Sequence, residues 1–227
     1  MQIHADLTQR AVVNSHALAW VPSPLPGVER RMLDRDGAEV ARATSIVRYA
    51  PGSYFAPHTH GGGEEFLVLD GVFSDEMGDF PKGMYVRNPV GSSHQPHSAE
   101  GATIFVKLQQ FDPADQAFVR VDTTRAHWLP GLVEGLTVLP LHRYNTEQVA
   151  LVRWAPGCQF TPHCHLGGEE ILVLEGEFCD EQGRYPEGTW LRNPPGSHHT
   201  PFSDAGCLLY VKTGHLGGPQ AEASETA

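Results

Sequence analysis

With 227 residues, 40% hydrophobic and 19% charged, the chain has the composition of a folded globular protein rather than a disordered one. Its formal net charge of -11, with no run of Lys or Arg, argues against a nucleic-acid backbone or an anionic membrane surface as partner. No apolar run approaches the roughly 18 residues that a membrane-spanning helix needs.

From the start, MQIHADLTQRAVV lacks a basic stretch followed by an apolar core, so no secretory signal is expected and the chain is assigned to the cytoplasm. The looser apolar spacing over residues 7–19 predicts a single helix. After that, 24 glycines and 18 prolines punctuate the chain too often for long helices. Short strands are expected instead: SIVRYAPG, a β-branched run stopped by Pro-Gly, then EEFLVLDG, then TIFVKL, with SDEMGD as a hairpin turn. Turns every eight to twelve residues point to a sandwich or small barrel.

The same text then recurs. Residues 48–107 laid over 153–212, at a constant offset of 105 and without a gap, are identical at 33 of 60 positions. The chain is therefore a duplication. Its upstream parts match more loosely, AWVPSPLPGVE from Ala19 echoing HWLPGLVEGL from His127. The expected domains are 1–112 and 127–215, with a polar linker at 113–126 and a fraying tail at 216–227. The cysteines, Cys158, Cys164, Cys179 and Cys207, all fall in the second copy without CxxC spacing and are expected as reduced thiols.

The chemistry sits in the repeated stretches PHTHGGGEEFLVLDG and PHCHLGGEEILVLEG. Strand alternation puts His58 and His60 on one side and Thr59 on the other; His163 and His165 likewise share a side, with Cys164 turned away. Glycines after the second histidine let the backbone bend so that Glu64 and Glu169 return to the same interior. A third histidine, His94 or His199, arrives from another strand after a Pro-x-Gly turn. Three imidazoles and a carboxylate suit Fe, Mn, Ni or Zn as a divalent ion, and spacing does not choose among them. One such ion is expected per domain, with open positions for a small-molecule ligand.

Around these positions several readings compete. Glu65 and Glu170 are expected to be outer-face charges. Arg87 and Arg192 are candidates to anchor a carboxylate substrate, although an internal ion pair accounts for them equally well. His97 and His198, each near a ligand position, are read as solvated or packed side chains rather than proton shuttles.

The spacing Gly52…His58-x-His60…Glu64…Gly71, followed by Gly83…Pro89-x-Gly91-x-x-His94, resembles the two motifs of the cupin superfamily. The second copy repeats it at Gly157, His163, His165, Glu169, Gly176, Gly188, Pro194, Gly196 and His199. The last position of the second motif, usually Asn, is Ser98 and Ser203 here, and it is not a ligand position. The resemblance implies an all-β bicupin, two tandem jelly-roll barrels, with metal at the three-His, one-Glu sites. Within cupins the phrases around both motifs resemble the ChrR-like group, named for the cupin half of an anti-sigma factor. That likeness implies a regulatory or stress-response protein that binds or senses a small molecule, with a protein partner and a homodimer in view. Residues 1–45 hold no cysteine for the His-x-x-x-Cys-x-x-Cys signature of the zinc domain that captures the sigma factor. The anti-sigma activity therefore does not follow from the resemblance. The competing expectation is a non-haem Fe(II) dioxygenase cleaving a diketone or hydroxyketone, as in some similar cupins.

Overall fold

The computed structural model describes residues 1–217, so the expected tail lies from residue 218 onward outside the described residues. Among the described residues there is no α-helix, and a 3₁₀ turn at Ser15–Ala17 is the only helical element. The strands that build the sites begin with β1 (Ala11–Asn14), β2 (Val28–Gly37), β3 (Ala41–Tyr49), β4 (His58–Thr59) and β5 (Glu64–Asp75). Next come β6 (Met84–Asn88), β7 (Ser93–His94), β8 (Ala102–Leu108) and β9 (Val119–Asp122). The second copy supplies β10 (Leu136–Tyr144), β11 (Glu147–Trp154), β12 (His163–His165) and β13 (Glu169–Asp180). It ends with β14 (Thr189–Asn193), β15 (Ser197–His199) and β16 (Cys207–Thr213).

The chain divides into two compact units. The first is Met1–Ala5 with Ala17–Ala126; the second is Asp6–His16 with His127 onward. In the first unit the antiparallel sheet runs β2-β3-β8-β5-β6-β9, and β4 and β7 form a separate ribbon. In the second it runs β10-β11-β16-β13-β14-β1, with β12 and β15 as the ribbon.

Each core follows from alternation along the central strands. Phe66 and Val68 project into the first barrel and pack with Phe73, Phe80, Val86, Ile104 and Val106. Ile171, Val173, Phe178, Tyr185, Leu191 and Leu209 do the same in the second. Each fully buried side chain of this size contributes about 1.5–3 kcal/mol. Two glycine positions of each copy are sterically required. Gly63 and its counterpart Gly168 adopt φ of +77° and +72°, the bend that brings Glu64 and Glu169 back inward. Gly71 and Gly176 also have positive φ, and a Cβ on either would run into the carbonyl oxygen of Gly101 or Gly206.

Three expectations need correction. Residues 7–19 hold no α-helix but a strand, β1, followed by the 3₁₀ turn, and residues Ala11 to Asn14 pair with Arg192 to Thr189. In so short a segment apolar spacing does not separate helix from strand, and an available sheet edge decides it. The stretch 113–126 is not a bare linker: it carries β9, whose residues Val119 to Asp122 pair with Arg87 to Met84. The first unit consequently runs on past 112 to Ala126, and the main segment of the second begins at His127. Residues 6–16 belong with the second unit, and 113–126 with the first.

Glu65 and Glu170 do project from the opposite face to Glu64 and Glu169, yet both are only 1% exposed. Glu65 accepts from Tyr85 at 2.7 Å and Arg87 at 3.1 Å, and Glu170 lies 3.4 Å from His215. The outer faces of these strands are covered, and their charges are paired rather than solvated.

Candidate metal centres

In the first unit, antiparallel pairing of β4 with β7 sets His94 directly opposite His58. The glycine bend then carries the chain from His60 to Glu64 at the start of β5. The four residues each offer a donor atom, and these atoms all lie within 4.8 Å of one another. His60, Glu64 and His94 are buried, while His58 is half-buried at the rim. His60 Nε2 stands 3.6 Å from Glu64 Oε2, and His94 Nε2 stands 3.5 Å from Glu64 Oε1.

The outward ring nitrogens fix which nitrogen faces inward. His58 Nδ1 lies 2.9 Å from the Ala56 carbonyl oxygen, so it must carry the proton. His60 Nδ1 lies 2.9 Å from Ser92 Oγ, whose own hydrogen goes to the Pro89 carbonyl at 2.6 Å. His94 Nδ1 lies 3.1 Å from the Asp75 carboxylate. With Nδ1 protonated on all three rings, each Nε2 turns a lone pair inward. Nε2 of His60 and of His94 are buried with no hydrogen-bond partner. A buried acceptor without a donor is costly, and a cation among these atoms removes that cost.

Burial is the main influence lowering the His60 pKa, which favours the neutral, ligating form. Burial also acts to lower His94, but its bond to Asp75 and the nearby Glu64 charge outweigh it and the net direction is upward.

The second unit repeats the set with small differences. His163, His165 and His199 form the tight group. His165 Nε2 lies 3.0 Å from His199 Nε2, which lies 3.2 Å from His163 Nε2. Three imidazole nitrogens facing one another at these distances fit a shared ion, because donors about 2.1 Å from a metal and at right angles to each other are about 3 Å apart. Glu169 Oε2 is 3.4 Å from His165 and 3.7 Å from His199, so the carboxylate borders the group without joining the tightest set. Burial lowers the pKa of both His163 and His165. Asp180 sits 3.7 Å from His199 Nδ1, too far for the hydrogen bond its counterpart makes.

Beside the first centre lies an open cavity of about 530 Å³, lined by Tyr54, Pro57, Glu76, Ser93, His94, Gln95 and His97. The second copy has Gln159, His198, Thr200 and Phe202 where the first has Tyr54, Ser93, Gln95 and His97, so the two surroundings differ although the inner residues match.

The arginines do not reach either centre. Arg87 is 1% exposed, bound to Glu65 and, at 2.6 Å, to Asp115, with its guanidinium 3.5 Å from the Phe111 ring centroid. Arg192 is equally buried and donates to the Asp6 and Gln9 carbonyls. Their neighbours Asn88 and Asn193 face inward instead, so alternation turns both arginines away from the histidines. The internal-pairing reading describes Arg87, and neither side chain is placed to anchor a substrate. His97 and His198 are exposed, and Cys164 is exposed as alternation requires. All four cysteines are free thiols.

Spacing alone did not single out Asp75, Asn88 and Ser92, or Asp180 and Asn193, which back the inner residues. All of them recur at the 105-residue offset, where identity between the copies was the available signal.

Two antiparallel β-units, each gathering His-x-His, a glutamate and a distant histidine, define a bicupin. The ChrR Cupin-like domain family matches residues 8–112 and again residues 116–217, and the chain belongs to that family. The curated anti-sigma-E factor ChrR of Cereibacter sphaeroides is 34% identical over 103 residues, which cover 44% of this chain and 46% of the relative. The match thus spans about half the length of that relative. Among solved structures, a candidate dioxygenase from Nostoc punctiforme superposes with a TM-score of 0.77 at 17% identity, covering 97% of this chain and 88% of that one. Protein YlbA of E. coli gives 0.72 at 16% identity, covering 93% of each chain. An oxalate decarboxylase from Lactobacillus farciminis gives 0.65 at 12%, covering 90% and 86%. At these identities the likeness is one of fold. Among the described residues no helix is long and apolar enough to cross a membrane.

Proposed function

We propose that the protein is a regulatory bicupin that binds one divalent metal ion per unit and senses a small molecule there, passing the change to a protein partner. His58, His60, Glu64 and His94 would hold the first ion, and His163, His165, Glu169 and His199 the second. The observation that carries the reading is the convergence of imidazole nitrogens: in the first unit Nε2 of His60 and of His94 are buried with no hydrogen-bond partner, and in the second Nε2 of His165 and of His163 lie 3.0 Å and 3.2 Å from His199 Nε2. A bound divalent ion supplies a Lewis-acidic position where an oxygen-bearing ligand can be held. The chain's own part is to orient the imidazoles, through Ala56, Ser92 and Asp75 in the first unit. The open cavity beside His94 supports ligand access at the first centre.

The regulatory half of the proposal draws on the relative named as an anti-sigma factor. The four free thiols support a reducing, cytoplasmic setting.

Metal analysis of protein purified without a metal-affinity tag tests the reading, followed by titration of the Co(II)-loaded protein with small oxygenated ligands. The expected result is about two ions per chain, and ligand-induced changes in the Co(II) spectrum without oxygen uptake. Failure to retain any metal after reloading would remove the reading. Rapid oxygen consumption with a diketone or hydroxyketone on Fe(II)-loaded protein would replace the sensor by a dioxygenase.

A further inference from the structure

Each unit closes its sheet with a strand that precedes the other copy's Trp-Pro segment in sequence: β9 in the first unit and β1 in the second. Each of these segments brings in one arginine, Arg120 or Arg10. Arg120 Nη2 donates to Asn88 Oδ1 at 2.6 Å, and Asn88 Nδ2 lies 3.3 Å from Glu64 Oε1. Arg10 Nε donates to Asn193 Oδ1 at 2.9 Å, and Asn193 Nδ2 donates to Glu169 Oε2 at 3.0 Å. The surroundings match as well. Arg120 lies over the Phe80 ring at 5.5 Å and Arg10 over the Tyr185 ring at 5.4 Å, and these rings are counterparts at the 105-residue offset.

The two arginines are not counterparts in sequence. Arg120 is within β9, opposite Val86, whereas the residue opposite the matching Leu191 is Val12; Arg10 lies two positions earlier, just before β1. The copies thus put a guanidinium in one place from two different backbone positions. A strand whose only task was to complete a sheet edge would not require that.

We propose that Arg120 and Arg10 are positioning residues for the metal centres, each orienting one asparagine so that its amide holds the ligand glutamate. A guanidinium has only donors, so it fixes Oδ1 of the asparagine toward itself and Nδ2 toward the carboxylate. Without it the amide is free to turn over and present oxygen to oxygen. The inference rests on the metal-binding reading above, and it assigns control of each centre to a strand outside the two cupin motifs.

The test uses full-length chains with one centre silenced, by His165→Ala to observe the first and by His60→Ala to observe the second, titrated with Co(II). Arg120→Ala is expected to weaken Co(II) binding at the first centre about 10- to 100-fold, the usual effect of losing an outer-shell partner. It should also alter the d–d spectrum as the glutamate loosens, and leave the second centre unchanged; Arg10→Ala should do the reverse. Arg120→Lys should restore part of the affinity, since an ammonium still donates to Oδ1. In an Asn88→Ala background, Arg120→Ala should cost nothing further, because the link it acts through is gone. Wild-type affinity and spectrum in Arg120→Ala would overturn the inference while leaving metal binding standing, as would a loss that simply adds to that of Asn88→Ala. Should Arg120→Ala not fold, Asn88→Ala alone decides: an unchanged Co(II) affinity and spectrum would overturn the inference. Absence of Co(II) binding by the unsubstituted chain would instead overturn the reading on which it rests.

Discussion

Replacing Asp75 by alanine should loosen the first centre far more than the matching change at Asp180 loosens the second. Asp75 Oδ2 lies 3.1 Å from His94 Nδ1 inside the barrel, and Asp180 Oδ2 lies 3.7 Å from His199 Nδ1. The first distance is a hydrogen bond between an imidazole and a carboxylate, and the second is an electrostatic contact without one. A hydrogen bond to a charged group is worth about 1.5–3 kcal/mol, and about 1.4 kcal/mol is a factor of ten. Asp75→Ala should therefore reduce metal affinity at the first centre roughly 10- to 100-fold, and Asp180→Ala should reduce it at the second by less than about tenfold. Stability should order the other way. Asp180 also accepts from Tyr185, from the Gln182 and Gly183 amides and from Arg10, whereas Asp75 has, besides His94, the Met77 amide. Chelator competition, with the opposite centre silenced, measures the affinities; urea unfolding of the metal-free chains measures the stabilities. Equal loss of affinity at both centres would refute the claim that the hydrogen bond, rather than the nearby charge, sets the histidine.

His60→Ala and His165→Ala should each remove one equivalent of metal per chain while leaving the far-ultraviolet spectrum unchanged, read by metal analysis and circular dichroism. Gly71→Ala should destabilise by about 2 kcal/mol or more, since a non-glycine residue pays about 1–2 kcal/mol for left-handed backbone before meeting the Gly101 carbonyl; a change under 1 kcal/mol in chemical unfolding would contradict this. The His94 pKa lies above its ordinary 6.5, so its proton competes with metal at a pH where an ordinary histidine is already neutral. Affinity at the first centre should begin to fall before the pH has dropped to 6.5, and a pH series of Co(II) titrations flat down to pH 5.5 would contradict that. The Asp75 carboxyl shows the opposite sign. Burial acts to raise its pKa, but the bond from His94 and the Met77 amide hold it below the ordinary 3.8. Its stabilising contribution is present in full above that value and is lost as pH falls through the lower folded-state pKa. Acid unfolding of the metal-free chain should therefore be less steep in Asp75→Asn.

Much of the site was legible before any tertiary structure. His-x-His on a two-residue period, a glycine bend before the glutamate, and a later histidine appear twice at one offset, and period and repetition are properties of the chain itself. The duplication, the all-β class and the inward faces of β5 and β13 follow from the same local rules. What a linear pattern does not carry is which edge a short segment will join and what will cover a given face. The segment around β1 has the apolar spacing of a helix, and its pairing with β14 makes it a strand; β9 has the polar composition of a linker, and its pairing with β6 makes it an edge strand. Alternation correctly separated Glu65 from Glu64, but whether the outer face meets water depends on residues far away in sequence. Arg10 and Arg120 show the limit most sharply. They occupy equivalent places in space from inequivalent places in the repeat, so no comparison of the copies pairs them. Sequence alone determined the inner set of three histidines and a glutamate, because its geometry depends on spacing within one or two strands; the tertiary structure decided what braces that set, because bracing depends on contacts between segments up to 183 residues apart.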